Sequence, residues 1–132
     1  FVTFLFYIPS NKDLQKVAED CKRDFLNFIK EQRNKNIVAY GAAAKGNTFL
    51  NSVGVTEESI CYVVDRNIEK IGKFLPGSLL PIVSEERLND DRPDYILLLP
   101  WNISEELVMQ LDYVKQWDGK IFTAVPNLSF YE

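Results

Sequence analysis

The spacing of apolar residues predicts a long amphipathic helix near the start of the chain. After a polar start signal at Ser10 and Asn11, apolar residues recur three and four positions apart, with charged residues between them. We expect this helix to end near residues 34–36. Its predicted apolar face carries Leu14, Val17, Ala18, Cys21, Phe25, Phe28 and Ile29.

Short apolar runs separated by helical patterns predict a parallel sheet for the rest of the chain. Such an alternation of strands and helices produces right-handed crossovers with helices on both faces of the sheet. We therefore predict an α/β, Rossmann-like three-layer fold with a mostly parallel sheet. The strands are predicted at residues 38–40, 61–65, 94–99 and 120–125, with a further apolar piece at 79–83, and the helices at 47–53, from Ser84, and from Asn102 to a point before Gly119.

The last predicted helix has a start signal of its own. Asn102 stands three residues before Glu105, which is the spacing of a capping box, so we expect Asn102 to cap this helix. The apolar residues that this helix is expected to bury are Ile103, Leu107, Val108, Leu111 and Val114.

A turn rich in small residues follows the first predicted core strand. The glycines at 41 and 46 leave room for backbone N–H groups to approach a ligand, and the helix that follows points its positive end at the same place. Lys45 adds a mobile positive charge. The turn therefore predicts a site for a phosphate or pyrophosphate. Alternatively, the glycines serve only tight turning and close packing, and Lys45 is simply solvated.

The second predicted strand ends at an acidic residue, Asp65, about 20 positions after the second glycine of the turn. In dinucleotide-binding folds, an acidic residue at this distance accepts hydrogen bonds from a ribose. Two alternatives stay open. Asp65 could instead pair with Arg66 or Arg23 or cap a turn, and Arg66, Lys70 and Lys73 could form an ordinary exposed basic edge.

The carboxyl ends of the predicted strands gather the candidate binding residues, because ligands of open α/β sheets bind at this edge. Trp101 offers a stacking face and Asn102 offers amide donors and acceptors, although Trp101 could be a core plug and Asn102 only a helix cap. Four segments are expected here, each following a strand: residues 41–47, 65–70, 76–77 and 100–102. The candidate substrate-binding residues are Tyr40, Gly41, Ala44, Lys45, Gly46, Asn47, Asp65, Arg66, Asn67, Lys70, Pro76, Gly77, Trp101 and Asn102.

Composition limits the classes of function. With 132 residues, 46% of them apolar, the chain is long enough for one domain with a real core and too short for two ordinary ones. A net charge of −4 lacks the basic surplus of nucleic-acid binders, so we expect no nucleic-acid partner. The apolar opening of the chain is too short to span a bilayer, so we expect no membrane partner and a soluble, cytoplasmic protein.

The chain holds few groups for catalysis or metal binding. It contains no histidine, the commonest general base and metal ligand. Its two cysteines cannot form a disulfide framework, and we expect both Cys21 and Cys61 to be buried thiols. We therefore predict no catalytic residue and no metal site in this chain.

Three strings in sequence order resemble a known family. They are YGAAAKGNTFLN, YVVDRNIEKIGKFLPGSLLPIV and PDYILLLPWN. They resemble the C-terminal domain of the S-adenosylmethionine-dependent sugar C-methyltransferases, enzymes that methylate a carbon of nucleotide-linked keto-deoxysugars. The resemblance covers most of the chain from about Leu14 onward.

The resemblance implies a parent enzyme in three parts. These are an N-terminal zinc-binding module, a central module that binds S-adenosylmethionine and carries the catalytic residues, and the present domain. The chain is then expected to bind no cofactor itself, to transfer no methyl group alone, and to pack against the central module while enclosing the nucleotide-sugar substrate. Residues 11–132 would form this domain, and residues 1–10 a strand or the tail of a preceding segment.

The site residues suggest how the nucleotide sugar is held. Residues 41–47 are expected to receive its pyrophosphate, while residues 65–67 and Lys70 contact its polar rim. A base in the central module would remove the proton alpha to the keto group, and the resulting carbon nucleophile would attack the donor methyl. Two alternatives remain: a stand-alone nucleotide- or dinucleotide-binding (regulatory) module, and a structural domain whose site has decayed.

Overall fold

The first helix of the fold, α1, spans Asn11–Glu31 in the computed structural model, which describes the backbone of residues 11–132 and the side chains from residue 16 onward. The predicted segment at residues 1–10 and the side chain of Leu14 lie outside the described residues. The predicted apolar face of α1 is confirmed, since Ala18, Cys21, Phe25 and Phe28 are buried. The helix stops before residues 34–36 because the Lys35 N–H bonds to the Gln32 carbonyl in a turn that leads into the sheet.

Six strands form one sheet in the order β3-β2-β1-β4-β5-β6. The first five strands run parallel, and β6 is antiparallel to β5. This confirms the predicted mostly parallel α/β sheet, and β6 is a strand that the sequence pattern did not predict. The strands are β1 (Ile37–Tyr40), β2 (Val63–Val64), β3 (Ile82–Val83), β4 (Tyr95–Leu98), β5 (Lys120–Thr123) and β6 (Ser129–Tyr131).

Helices cover both faces of this sheet, as predicted. Alternate residues of β1 point into two separate cores, so the whole strand is buried. One core lies between the sheet and α1 with α2, and the other between the sheet and α3 with α4. These helices are α2 (Ala44–Val53), α3 (Glu86–Asp91) and α4 (Ser104–Gln110), with 3-10 helices at Trp101–Ile103 and Asp112–Trp117.

The direction of α1 follows from two contacts with the sheet. The Cys21 thiol donates to the Ala124 carbonyl, just past the carboxyl end of β5, at 2.8 Å. Seven residues later in sequence, the Phe28 ring lies 5.0 Å from the Tyr95 ring at the amino end of β4. The helix therefore runs from the edge formed by the carboxyl ends of the parallel strands, here called the carboxyl edge, to the opposite edge.

Two predicted elements have different bounds in the structure. Helix α2 begins three residues before the predicted start, because Ala43 already accepts the N–H of Asn47. It ends as predicted at Gly54, which has a positive φ of 73°. Strand β2 is shorter than predicted, although Cys61 and Asp65 still donate backbone bonds to Ile37 and Val83 on either side.

The predicted start of the last helix is wrong. Asn102 lies inside the 3-10 helix that follows Pro100, and α4 begins after Ile103 without a side-chain cap. The chain turns early because Trp101 and Ile103 donate to the carbonyls of Leu99 and Pro100. Ile103 is consequently exposed instead of buried, and the helix gives way to a 3-10 helix before Gly119.

The two cysteines differ in environment. Cys21 is buried as predicted, and burial followed by the charge of Asp24 raises the pKa of its thiol to about 12. Cys61 is exposed, so the prediction of two buried thiols is wrong for it. It precedes β2, whereas Val63 and Val64 within the strand are covered on both faces of the sheet.

Candidate functional site

The two glycines of the β1–α2 turn are required by close packing. A Cβ on Gly41, whose φ is +91°, would lie 2.6 Å from the ring of Pro100. A Cβ on Gly46 would lie 2.4 Å from the Cβ of Leu99. Both partners belong to the segment that continues β4, so the turn and this segment touch at the carboxyl edge. The packing alternative therefore accounts for both glycines.

The protein itself occupies the first three amides of this turn. Gly41 donates its N–H to the Val64 carbonyl at 2.7 Å, Ala42 donates to the Asp65 carboxylate at 2.8 Å, and Ala43 donates to the Gly41 carbonyl at 2.8 Å. Ala44, in the first turn of α2, is exposed, and its N–H has no protein acceptor within the described residues. Anion binding by backbone amides is thus restricted to the first turn of α2.

Asn47 and Lys45 lie in that first turn. The Lys45 side chain is exposed. The Oδ1 atom of Asn47 is buried and accepts no hydrogen bond from the part of the chain that the structure describes. Buried acceptors without a partner are rare in native proteins, so this atom marks the turn as incomplete on its own.

Asp65 joins the β1–α2 turn to the β2–β3 connection. One carboxylate oxygen accepts the N–H of Ala42, and the other accepts the N–H of Asn67 at 2.8 Å. The Oδ1 atom of Asn67 in turn accepts the Glu69 N–H at 3.0 Å. Asp65 therefore caps a turn, as one of the alternatives has it. It does not pair with Arg23, which forms an ion pair with Asp20. Each carboxylate oxygen keeps a second lone pair for a ligand.

Lys70 brings a positive charge to the same turn. Its Nζ donates to the Ala42 carbonyl at 3.0 Å, and its side chain is partly buried. Since an ammonium group has three donors, two remain for other partners. The structure therefore brings the predicted segments 41–47 and 65–70 together at the carboxyl edge.

The Pro76–Gly77 turn lies elsewhere, contrary to the prediction. The side-chain amide of Asn51 donates to the Pro76 carbonyl at 3.0 Å. A Cβ added to Gly77 would lie 2.4 Å from the Oδ1 atom of Asn51. Asn51 is seven residues after Ala44, which is about 10 Å along the helix axis. The β2–β3 connection therefore folds back along α2, and this turn precedes β3 instead of extending the carboxyl edge.

Trp101 and Asn102 follow β4 at the carboxyl edge. Trp101 is partly buried and packs against the α1–α2 core, as the core-plug alternative has it. Asn102 is exposed, and its side chain makes no hydrogen bond to any residue that the structure describes. Its amide is therefore available to a ligand at this edge.

A second group of side chains meets on the α3–α4 side of the same edge, and we call it the Glu85 cluster: Glu85, Tyr40, Arg66 and Tyr113. One oxygen of the Glu85 carboxylate accepts the Tyr40 hydroxyl at 2.6 Å and the Arg66 Nε at 2.7 Å. The other accepts the Tyr113 hydroxyl at 3.0 Å and the Arg66 Nη2 at 3.2 Å. The sequence pattern selected Tyr40 and Arg66 but missed Glu85 and Tyr113. Glu85 was detectable, since it stands two residues after β3 at the carboxyl edge.

Charges in the Glu85 cluster are mutually stabilised. Burial alone would raise the pKa of Glu85, but hydrogen bonds from Arg66, Tyr40 and Tyr113 outweigh it and lower that pKa. Burial, followed by the bond to Glu85, raises the pKa of Tyr40 and of Tyr113 above their ordinary value. Near neutral pH, two neutral hydroxyls and one guanidinium therefore surround an ionised carboxylate.

A shallow depression of about 330 Å³ opens beside this cluster. The residues that line it carry carboxylate, amide and phenol groups, which accept and donate hydrogen bonds. The lining residues are Glu85, Glu86, Asn89, Tyr113 and Gln116.

Among the described residues, no group of three or more cysteine, aspartate or glutamate side chains is placed to hold a metal ion. Within the same residues, no helix has both the length and the apolar character needed to cross a membrane.

Comparison with known proteins indicates the family of this chain. The sequence profile of the family described as "C-methyltransferase C-terminal domain" matches residues 7–126. A protein named C-methyltransferase NovU, from Streptomyces niveus, is 35% identical over 93 residues. This match covers 70% of the chain and 22% of that relative, so the chain spans about a fifth of the relative's length.

Proposed function

The chain belongs to the family of C-methyltransferase C-terminal domains, and from this premise we propose that it encloses the substrate in an enzyme that C-methylates a nucleotide-linked keto-deoxysugar. In this proposal the methyl donor is S-adenosylmethionine, bound by a central module of the same polypeptide. That module supplies the base and the reacting geometry, and an N-terminal module holds zinc. The present domain binds substrate and does no chemistry alone.

The observation that carries the proposal is the meeting of Asp65 and Lys70 at Ala42. It places a partly buried ammonium group beside the first turn of α2, where Lys45 adds a second positive charge and the helix dipole favours an anion. We assign the diphosphate of the nucleotide sugar to this turn. The glycine bend itself is excluded from the assignment, because its amides are already bonded.

Enclosure contributes to the reaction through positioning. Holding the substrate carbon at near-attack distance from the donor methyl is worth on the order of several kcal/mol of the barrier. Both groups have to be held, one by each module. A domain that grips the charged end of the sugar nucleotide raises kcat/KM by lowering KM, without touching the reacting carbon.

Exposed apolar side chains support the contact with a central module. Ile68, Phe74 and Leu79 of the β2–β3 connection are 83%, 60% and 60% exposed. Phe74 and Leu79 each precede a leucine that is buried in the core, so they point away from this domain. Apolar side chains held outward in this way mark an interaction surface, and most of the length of the matched relative is available to provide its partner.

The test uses the full-length protein that contains this domain, with a nucleotide-linked keto-sugar as substrate. Lys70→Ala and Lys45→Ala each remove a charged contact to the diphosphate, and we expect KM to rise about tenfold for each, with kcat nearly unchanged. Lys115→Ala is the control, because this lysine pairs with Asp112 in the 3-10 helix after α4. Unchanged KM in both test variants would refute the proposed site.

Strand order favours a second candidate, a module that binds a nucleotide or dinucleotide by itself. The order β3-β2-β1-β4-β5-β6 is that of dinucleotide-binding folds. Calorimetry on the isolated chain with NAD, a nucleotide sugar and S-adenosylmethionine separates the two. Substrate enclosure predicts weak or absent binding, because half of the pocket belongs to the central module, whereas tight binding would favour the stand-alone module.

A further inference from the structure

The Glu85 carboxylate has no acceptor capacity left for a ligand. It accepts four hydrogen bonds, two on each oxygen, from Tyr40, Arg66 and Tyr113. Since a carboxylate offers about four acceptor positions, its bonding is complete within the protein. Its effect on a bound molecule therefore has to act through the groups that it holds.

Arg66 is the member of the cluster with donors to spare. A guanidinium has five N–H donors, and Arg66 uses one at Nε and one at Nη2 for Glu85. Its side chain is 57% exposed, so a ligand at the carboxyl edge can reach the guanidinium. A fork held in this way loses little conformational freedom when it binds an anion in the bidentate manner.

The position of the cluster favours a role in the site. Tyr40 ends β1, Arg66 follows β2 and Glu85 follows β3, so three adjacent strands contribute to it at the edge where ligands bind. An isolated exposed ion pair would add little to stability. Here two tyrosines and a carboxylate are arranged around one exposed guanidinium, and the depression of about 330 Å³ lies alongside.

We propose that Glu85, fixed by Tyr40 and Tyr113, is a positioning residue that aims the Arg66 guanidinium at an anionic group of the nucleotide-sugar substrate. This inference rests on the proposed function. It assigns a role to Glu85 and Tyr113, although neither residue contacts the substrate in this arrangement. Because the carboxylate offsets much of the charge of Arg66, binding depends on the direction of the N–H groups.

A double-mutant cycle in the full-length enzyme tests this. We expect Arg66→Ala and Glu85→Gln each to raise KM for the nucleotide-linked keto-sugar by about tenfold, with kcat changed less than about twofold. In the Arg66→Ala background, Glu85→Gln is expected to add nothing further, since the residue acts through Arg66. Arg66→Lys is expected not to restore KM, because an ammonium cannot form the fork.

Two outcomes overturn the inference. One is that Glu85→Gln raises KM by the same factor in wild type and in the Arg66→Ala variant. Loss of fold stability would give this result, because it does not act through Arg66. The other is an unchanged KM in Arg66→Ala. In that case, a raised KM in Lys70→Ala would show that the proposed function survives while the role of the Glu85 cluster fails. Tyr113→Phe removes one of the four bonds without a change in shape, and it is expected to give a smaller rise in KM of the same kind.

Discussion

At the scale of single residues, Glu85 makes stability depend on pH. Its pKa is lowered from 4.5 in the folded protein, so its bonds are fully present above that value and are lost as the pH falls through the folded-state pKa. We expect Glu85→Gln to lower the free energy of unfolding by about 2 kcal/mol at pH 7, because the variant loses charge-assisted hydrogen bonds. The difference from wild type is expected to narrow as the pH falls below 4.5, because the carboxyl of the unfolded chain then takes up a proton before that of the folded protein does.

Urea unfolding of both proteins at pH 7 and at pH 3 measures this difference. Glu86→Gln is the matched control, because Glu86 is the exposed neighbour and its side chain makes no hydrogen bond within the described residues. A gap between wild type and Glu85→Gln that widened in acid would contradict the sign of the pKa shift.

At the scale of elements, Gly46 fixes how closely α2 packs against the chain that continues β4. Alanine is a better helix former than glycine, so propensity alone would favour Gly46→Ala by roughly 1 kcal/mol. The new Cβ would however lie 2.4 Å from the Cβ of Leu99. Leu99 is fully buried, so it has little room to move away. We expect overpacking to prevail, with a net loss of about 1–3 kcal/mol in the free energy of unfolding.

The control for this substitution is Gly72→Ala. Gly72 has a φ of +90° and open space where a Cβ would lie. Its alanine variant is therefore destabilised by backbone strain alone, without a clash. Chemical denaturation of both variants separates the two costs. A Gly46→Ala protein as stable as wild type would mean that α2 moves away from Leu99 at no cost.

Elements with a strong apolar pattern were predictable from the sequence. The buried face of α1 and the unbroken apolar run of β4 were placed within a few residues, because burial there follows directly from periodicity. The capping signal at Asn102 failed because Pro100 and the carbonyl of Leu99 start a 3-10 helix before it. A local signal of this kind does not show which of two competing turns the neighbouring strand permits.

At the scale of the whole molecule, topology explains which site residues the sequence could find. The rule that ligands bind at carboxyl ends selected Tyr40, Arg66 and Lys70, which do lie at that edge. It misplaced Gly77, because nothing in the spacing shows that the β2–β3 connection folds back onto Asn51. Tyr113 was missed for a similar reason, since its contact with Glu85 joins residues 28 positions apart.

The β2–β3 connection also links this domain to the rest of the polypeptide in our proposal. Its backbone is held by several hydrogen bonds, such as those of Leu75 to Leu80 and Ile82 to Lys73. The exposed side chains of Phe74 and Leu79 add little stability to this domain alone, because they bury little apolar area within it. The domain gains more stability from them where another surface covers these side chains, because burying each would remove apolar area from water.

Serine at both positions tests that surface in the full-length protein. We expect Phe74→Ser with Leu79→Ser to leave the unfolding of this domain within about 0.5 kcal/mol of wild type, since both side chains are exposed. The domain is expected to separate more readily from its neighbour, with faster proteolysis between them and a lower kcat/KM. Met109→Ser is the control, because Met109 is 80% exposed on α4, on the other face of the sheet. Equal proteolysis and activity in the double variant and the control would place the contact between domains on a different surface.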